Sequence, residues 1–134
     1  MPRRARTGER GAAVVDFVFV LLVLLPLVLG ILQLALVLHV RNTLASAAAE
    51  GARHAAVAGS SAPAGQAKVQ ELINGALSQD FVRSVSVRPA VVGGAAGYEA
   101  VVEADVTVLG LGGPGVHVRV EGHAIAEAAS TVQP

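Results

Sequence analysis

From Phe17 to Leu38 the chain reads FVFVLLVLLPLVLGILQLALVL, a run in which Gln33 is the only strongly polar side chain. As an α-helix at about 1.5 Å per residue it is about 33 Å long, enough to cross a hydrocarbon core of about 30 Å. Burying a helix that is apolar on every side inside a soluble domain would take a larger body than 134 residues can build. The run is therefore read as a transmembrane helix. Pro26 and Gly30 lie within it, where lipid offers the backbone no competing water. Pro26 removes one backbone donor and bends the helix.

The charges around this run give its direction. Arg3, Arg4, Arg6 and Arg10 precede it against a single Glu9, whereas six basic residues face eight acidic ones from residue 39 onward. The positive-inside rule then leaves the N-terminus in the cytoplasm and residues 39–134 outside. A basic head and a mildly acidic body do not describe a nucleic-acid binder. A cleavable secretory signal would have a shorter apolar core, and Arg41 separates this one from the small residues Ala45-Ser46-Ala47. With no cysteine, an exported domain has no disulfide and must hold itself together by packing. Hydrophobic residues make up 53% and aromatics 3%, so that packing relies on Val, Leu and Ala.

At the leading edge of the span the chain reads RGAAVVDF, with Gly11, Ala12, Asp16 and Phe17 in fixed spacing. This resembles the processing site of type IV pilin-like proteins, and VRNTLASAAAEGARHAAVAG (residues 40–59) resembles the segment after the span in TadE-like pseudopilins of the tight-adherence (Flp) pilus system. The resemblance implies that a prepilin peptidase cuts between Gly11 and Ala12, leaving Asp16 fifth in the mature chain with Phe17 after it. It also implies that Asp16 pairs with a neighbouring subunit in assembly. The family's usual acid is glutamate, and this chain carries the shorter aspartate.

Electrostatics allows the same role. A free ammonium on Ala12 at the head of a membrane helix is costly to leave uncompensated. Asp16 lies four residues on, on the same helical face, and a carboxylate in the first turn suits the positive end of the helix dipole. The alternative is that Asp16 sits among wet headgroups at the membrane surface with no specific partner.

Beyond the span, HVRNTLASAAAEGARHAAVA (residues 39–58) continues as an alanine-rich helical stem. Leu44, Ala48, Ala52 and Ala55 fall on one face, suited either to packing on the rest of the domain or to contacts with other subunits. Glu50 and Arg53 can pair on the wet side. Residues 59–65 read as a loop, and Val69, Leu72, Ile73 and Ala76 predict a short amphipathic helix over 66–78. Three alternating runs, 82–88, 98–109 and 116–126, predict antiparallel strands with one wet face. Gly93, Gly94 and Gly97 mark a turn before Tyr98, and GLGGPG (110–115) joins the last two strands. Opposing Val106 to Val118 in that hairpin puts Asp105 across from Arg119 and Glu103 across from Glu121.

The expected fold is α+β: an N-terminal transmembrane helix extending into a stem, a short helix and a three-stranded antiparallel sheet. The expected organisation is a basic leader over 1–11, a membrane helix over 12–38 and an extracytoplasmic stem and head over 39–134. No catalytic constellation stands out. GLGGPG lacks the lysine and following helix of a phosphate loop; His39, His54, His117 and His123 have no metal-ligand spacing; Ser60 and Ser61 sit in a loop; and Glu103 and Asp105 read as a solvated strand face. No cofactor, metal site, enzyme activity or nucleic-acid partner is expected. The resemblance implies a structural pilus-assembly component of the inner membrane or surface pilus. Its partners would be lipid, other pilin or pseudopilin subunits, the prepilin peptidase and the secretion machinery. The alternative is an unprocessed single-pass anchor carrying a binding domain at the cell surface.

Overall fold

The computed structural model describes residues 7–57, 60–108 and 113–127. Its contacts divide the chain into two compact units, Met1–Ala35 and Leu36–Pro134. Helix α1 spans Thr7–Ala56 and contributes to both. The leader arginines Arg3, Arg4 and Arg6 lie outside the described residues, as do Ala58 and Gly59 at the expected end of the stem.

In the first unit α1 stands exposed. An 18-residue window of this helix reaches a mean hydropathy of 2.9, and none of that window is buried. This helix is long and apolar enough to serve as a single-pass membrane anchor. Pro26 lies inside it and leaves the Leu22 carbonyl without its i+4 donor.

The second unit is two layers: helices on one face of a three-stranded antiparallel sheet. Its helices are the C-terminal part of α1 and α2 (Ala62–Ala76); its strands are β1 (Val82–Val92), β2 (Ala95–Thr107) and β3 (Gly115–Ile125), in the order β1-β2-β3. The core joins Val40, Leu44, Ala48, Ala52 and Ala55 of α1 with Val69 and Ile73 of α2 and with Val87, Ala100, Val102, Ala104, Val106, Val118 and Val120 of the sheet. Fully buried Val and Leu side chains of this kind contribute about 1.5–3 kcal/mol each. Leu36 and Val37, the last turn of the apolar run, already pack partly against this core.

Small residues let the layers close. A Cβ on Gly122 of β3 would lie 2.4 Å from the carbonyl carbon of Ala48 and from the nitrogen of Ala49, so the strand and α1 meet at backbone distance there.

Three expectations about element bounds are corrected. First, α2 begins at Ala62, not 66, and residues 62–65 are helical rather than loop. Ser61 is its N-cap, accepting a hydrogen bond from the Ala64 N–H at 3.4 Å, and Pro63 occupies the first turn, where no backbone donor is needed. The helix ends at Ala76, where the Leu77 N–H closes on the Ile73 carbonyl at 2.8 Å.

Second, β1 runs on to Val92 through Pro89, and β2 starts at Ala95, so Gly97 lies in a strand and not in a turn. An edge strand tolerates proline because its missing N–H can face away from the sheet. Gly93 and Gly94 alone make the turn, with φ of 58° and 86°, the left-handed pair of a type I′ hairpin.

Third, β2 and β3 pair two residues away from the expected register: Ala104 opposes Val118, Val106 opposes Val116, and Glu103 opposes Arg119. The inward faces are unchanged. The shift replaces the Glu103–Glu121 apposition with an opposite-charge pair. Residues 109–112 of the connecting loop lie outside the described residues.

Candidate functional site

Among the described residues, two features carry polar chemistry. One is the start of the apolar helix. Gly11, Ala12, Asp16 and Phe17 all lie within α1 and are all exposed. Ala12 and Asp16 share a helical face about 6 Å apart along the axis. A side chain at Gly11 would meet nothing within 4 Å, so local packing does not require glycine there.

The other is the wet face of the sheet, where the central strand supplies acids and the edge strands supply bases. Asp105 takes Arg83 on one side and His117 on the other, with His117 Nδ1 at 2.9 Å from Asp105 Oδ1. Arg83 reaches it because the β1 register shifts between Val82 and Ser84, a bulge that inserts one residue on this edge. Glu103 accepts from Ser84 Oγ at 3.2 Å and from an Arg119 terminal nitrogen at 2.9 Å. Glu99 accepts from Arg88 Nε at 2.7 Å and lies 3.2 Å from His123 Nε2. Arg119 also donates to Glu121 at 3.1 Å.

These contacts show in the acidities. Hydrogen bonding from Arg88, partly offset by desolvation, holds the Glu99 carboxyl below its ordinary range, and His123 adds to this. The His117 hydrogen bond, with help from Arg83 and against desolvation, lowers Asp105. Its bond to Glu121 raises Arg119.

Glu99, Glu121 and His123 bring ligand-capable atoms within 4.8 Å of one another, a grouping across two strands that spacing along the sequence did not reveal. Arg88 and Arg119 already engage the two carboxylates, so the trio reads as part of the charge ladder. The ladder's chemistry is cross-linking: each acid of β2 joins its strand to both neighbours. Glu103 and Asp105 are thus a solvated, paired strand face.

The stem residues Leu44, Ala48, Ala52 and Ala55 are buried in the core of the second unit. That is the packed-stem arrangement. Glu50 and Arg53 stay exposed and approach to 3.8 Å.

The TadE-like protein family matches residues 11–53, from the glycine through the stem. This region is TadE-like. The match covers about a third of the chain. It leaves α2 and the sheet outside. No curated protein and no solved structure matches the chain.

Proposed function

We propose that the protein is a pseudopilin-like structural component of a tight-adherence pilus, cut after Gly11 and held in the inner membrane by α1 with its head outside. The observation that carries this reading is the coincidence of the TadE-like match, which starts at Gly11, with an acid five residues later on an exposed apolar helix. Within such a family the role is assembly and not catalysis.

The Gly11–Ala12 bond lies inside α1, and a peptidase needs extended backbone, so cleavage requires the first turns to unwind. Glycine eases that step, being about 0.5–1 kcal/mol less helix-favouring than alanine. Once cut, Ala12 presents an ammonium one turn from Asp16. The carboxylate compensates that charge within the subunit while it waits in the membrane, or on a neighbour once subunits associate, and the exchange sets the stagger between helices. Other pilin subunits, the prepilin peptidase and the secretion machinery are the partners this requires.

The experiment is complementation in the native host. A deletion strain supplied with the Gly11→Val chain should keep the full-length protein uncut and lose surface pili, while the wild-type chain restores both. A Gly11→Val chain that matched the wild type in length and piliation would favour an unprocessed anchored binding domain instead.

A further inference from the structure

The second unit pairs almost all its cations. Arg53 meets Glu50, Lys68 meets Glu71, Arg83 meets Asp105, Arg88 meets Glu99, and Arg119 meets Glu103 and Glu121. Arg41 is the exception: it is exposed and has no partner among the described residues. It lines an open notch of about 310 Å³ between α1 and β3 together with Ala45, Arg119, Val120 and Glu121. Arg119 and Glu121 offset each other there, so the notch keeps one surplus positive charge, that of Arg41, over an apolar floor of Ala45 and Val120.

The position of this charge along α1 points to what it meets. Arg41 follows the last residue of the apolar run, Leu38, by three residues, about 4.5 Å along the helix axis. The headgroup layer outside a hydrocarbon core is about 5–7 Å deep on each side. A guanidinium on a flexible stem at this level stands among lipid phosphates, whose geometry it matches with two parallel hydrogen bonds.

We infer that the notch binds the phosphodiester of an anionic phospholipid headgroup, Arg41 supplying the direct contact. The single surplus charge suits a monoanionic phosphodiester, and Glu121 opposes a dianionic phosphomonoester. Lipid bound here fixes the depth at which α1 leaves the bilayer. This rests on α1 being a membrane anchor and is independent of whether the chain serves a pilus.

The test uses the full chain in nanodiscs of mixed phosphatidylcholine and phosphatidylglycerol, with the lipid retained per protein read by native mass spectrometry. The wild type is expected to retain phosphatidylglycerol preferentially. Arg41→Gln should lower that retention about fivefold, the contribution of one arginine near a charged membrane surface. Glu121→Gln should raise it, and Arg53→Gln, whose charge is already paired, should leave it unchanged. Equal retention by wild type and Arg41→Gln would overturn the notch, as would an equal loss in Arg53→Gln. A chain that failed to enter the bilayer would bring down the anchor itself. One that entered without preference would bring down only the notch.

Discussion

Gly51 and Gly65 meet backbone to backbone where α1 and α2 cross: a Cβ built on Gly65 would lie 2.6 Å from the Gly51 carbonyl oxygen, and one built on Gly51 would lie 3.0 Å from the Gly65 carbonyl oxygen. Gly51 also leaves room for Val69, whose Cγ2 would stand 2.0 Å from such a Cβ. The crossing lets the two helices share one core in a domain with few large side chains.

Gly65→Ala should therefore destabilise the head by about 1–3 kcal/mol through overpacking, although alanine is the better helix former by about 1 kcal/mol. Gly75 lies on the same helix with nothing within 4 Å of its Cβ position, so Gly75→Ala should be neutral or stabilising. Urea unfolding of the detergent-solubilised chain, followed by circular dichroism, compares the two. Equal midpoints for both variants would contradict the close crossing.

The charge ladder gives the head an acid-sensitive seam. Glu99 and Asp105 have carboxyls lowered in the folded state, so the unfolded chain binds more protons in acid. Their contribution is present above the ordinary carboxylate range and is lost as pH falls through the lowered values. A Glu99→Gln, Asp105→Asn double variant should melt below the wild type near neutral pH. The gap should narrow as pH falls below the ordinary carboxylate range of about 4 and through the lowered values, as the wild type loses what the variant never had. A gap that stayed constant over that range would show that these carboxylates do not couple folding to protonation. The change is expected to be small, since exposed pairs each contribute little.

Much of this architecture was legible in the chain. The length of the apolar run, the alanine-rich stem and the alternation of Val102, Ala104 and Val106 are each visible as local patterns, and the elements formed where those patterns lie. The start of α2 is harder to see because Ser61, Pro63 and Gly65 look like breakers, whereas serine before a helix and proline in its first turn are start signals. The β2–β3 register depends on the length of a glycine-rich connection, which alternation alone leaves undetermined. Opposite charge at Glu103 and Arg119 was the better guide. The Gly51–Gly65 crossing, the reach of Arg83 to Asp105 across a bulge, and the Glu99–Glu121–His123 grouping all join residues distant in sequence. No local pattern marks them.

At the head of the span, charge and not size should decide the role of Asp16. Asp16→Ala and Asp16→Asn should abolish pilus assembly while leaving membrane insertion intact, and Asp16→Glu should retain it, since one added methylene still lets a carboxylate reach an ammonium. Pili counted by electron microscopy, alongside membrane fractionation, separate assembly from insertion. Normal piliation in Asp16→Ala would remove charge pairing from the mechanism even with processing intact.

The most direct test of the proposed role is the N-terminus of the protein purified from its native host. Intact mass and N-terminal sequencing should show a mature chain beginning at Ala12, the residue whose new ammonium faces Asp16. A chain beginning at Met1 or Pro2 in cells with an active prepilin peptidase would contradict it.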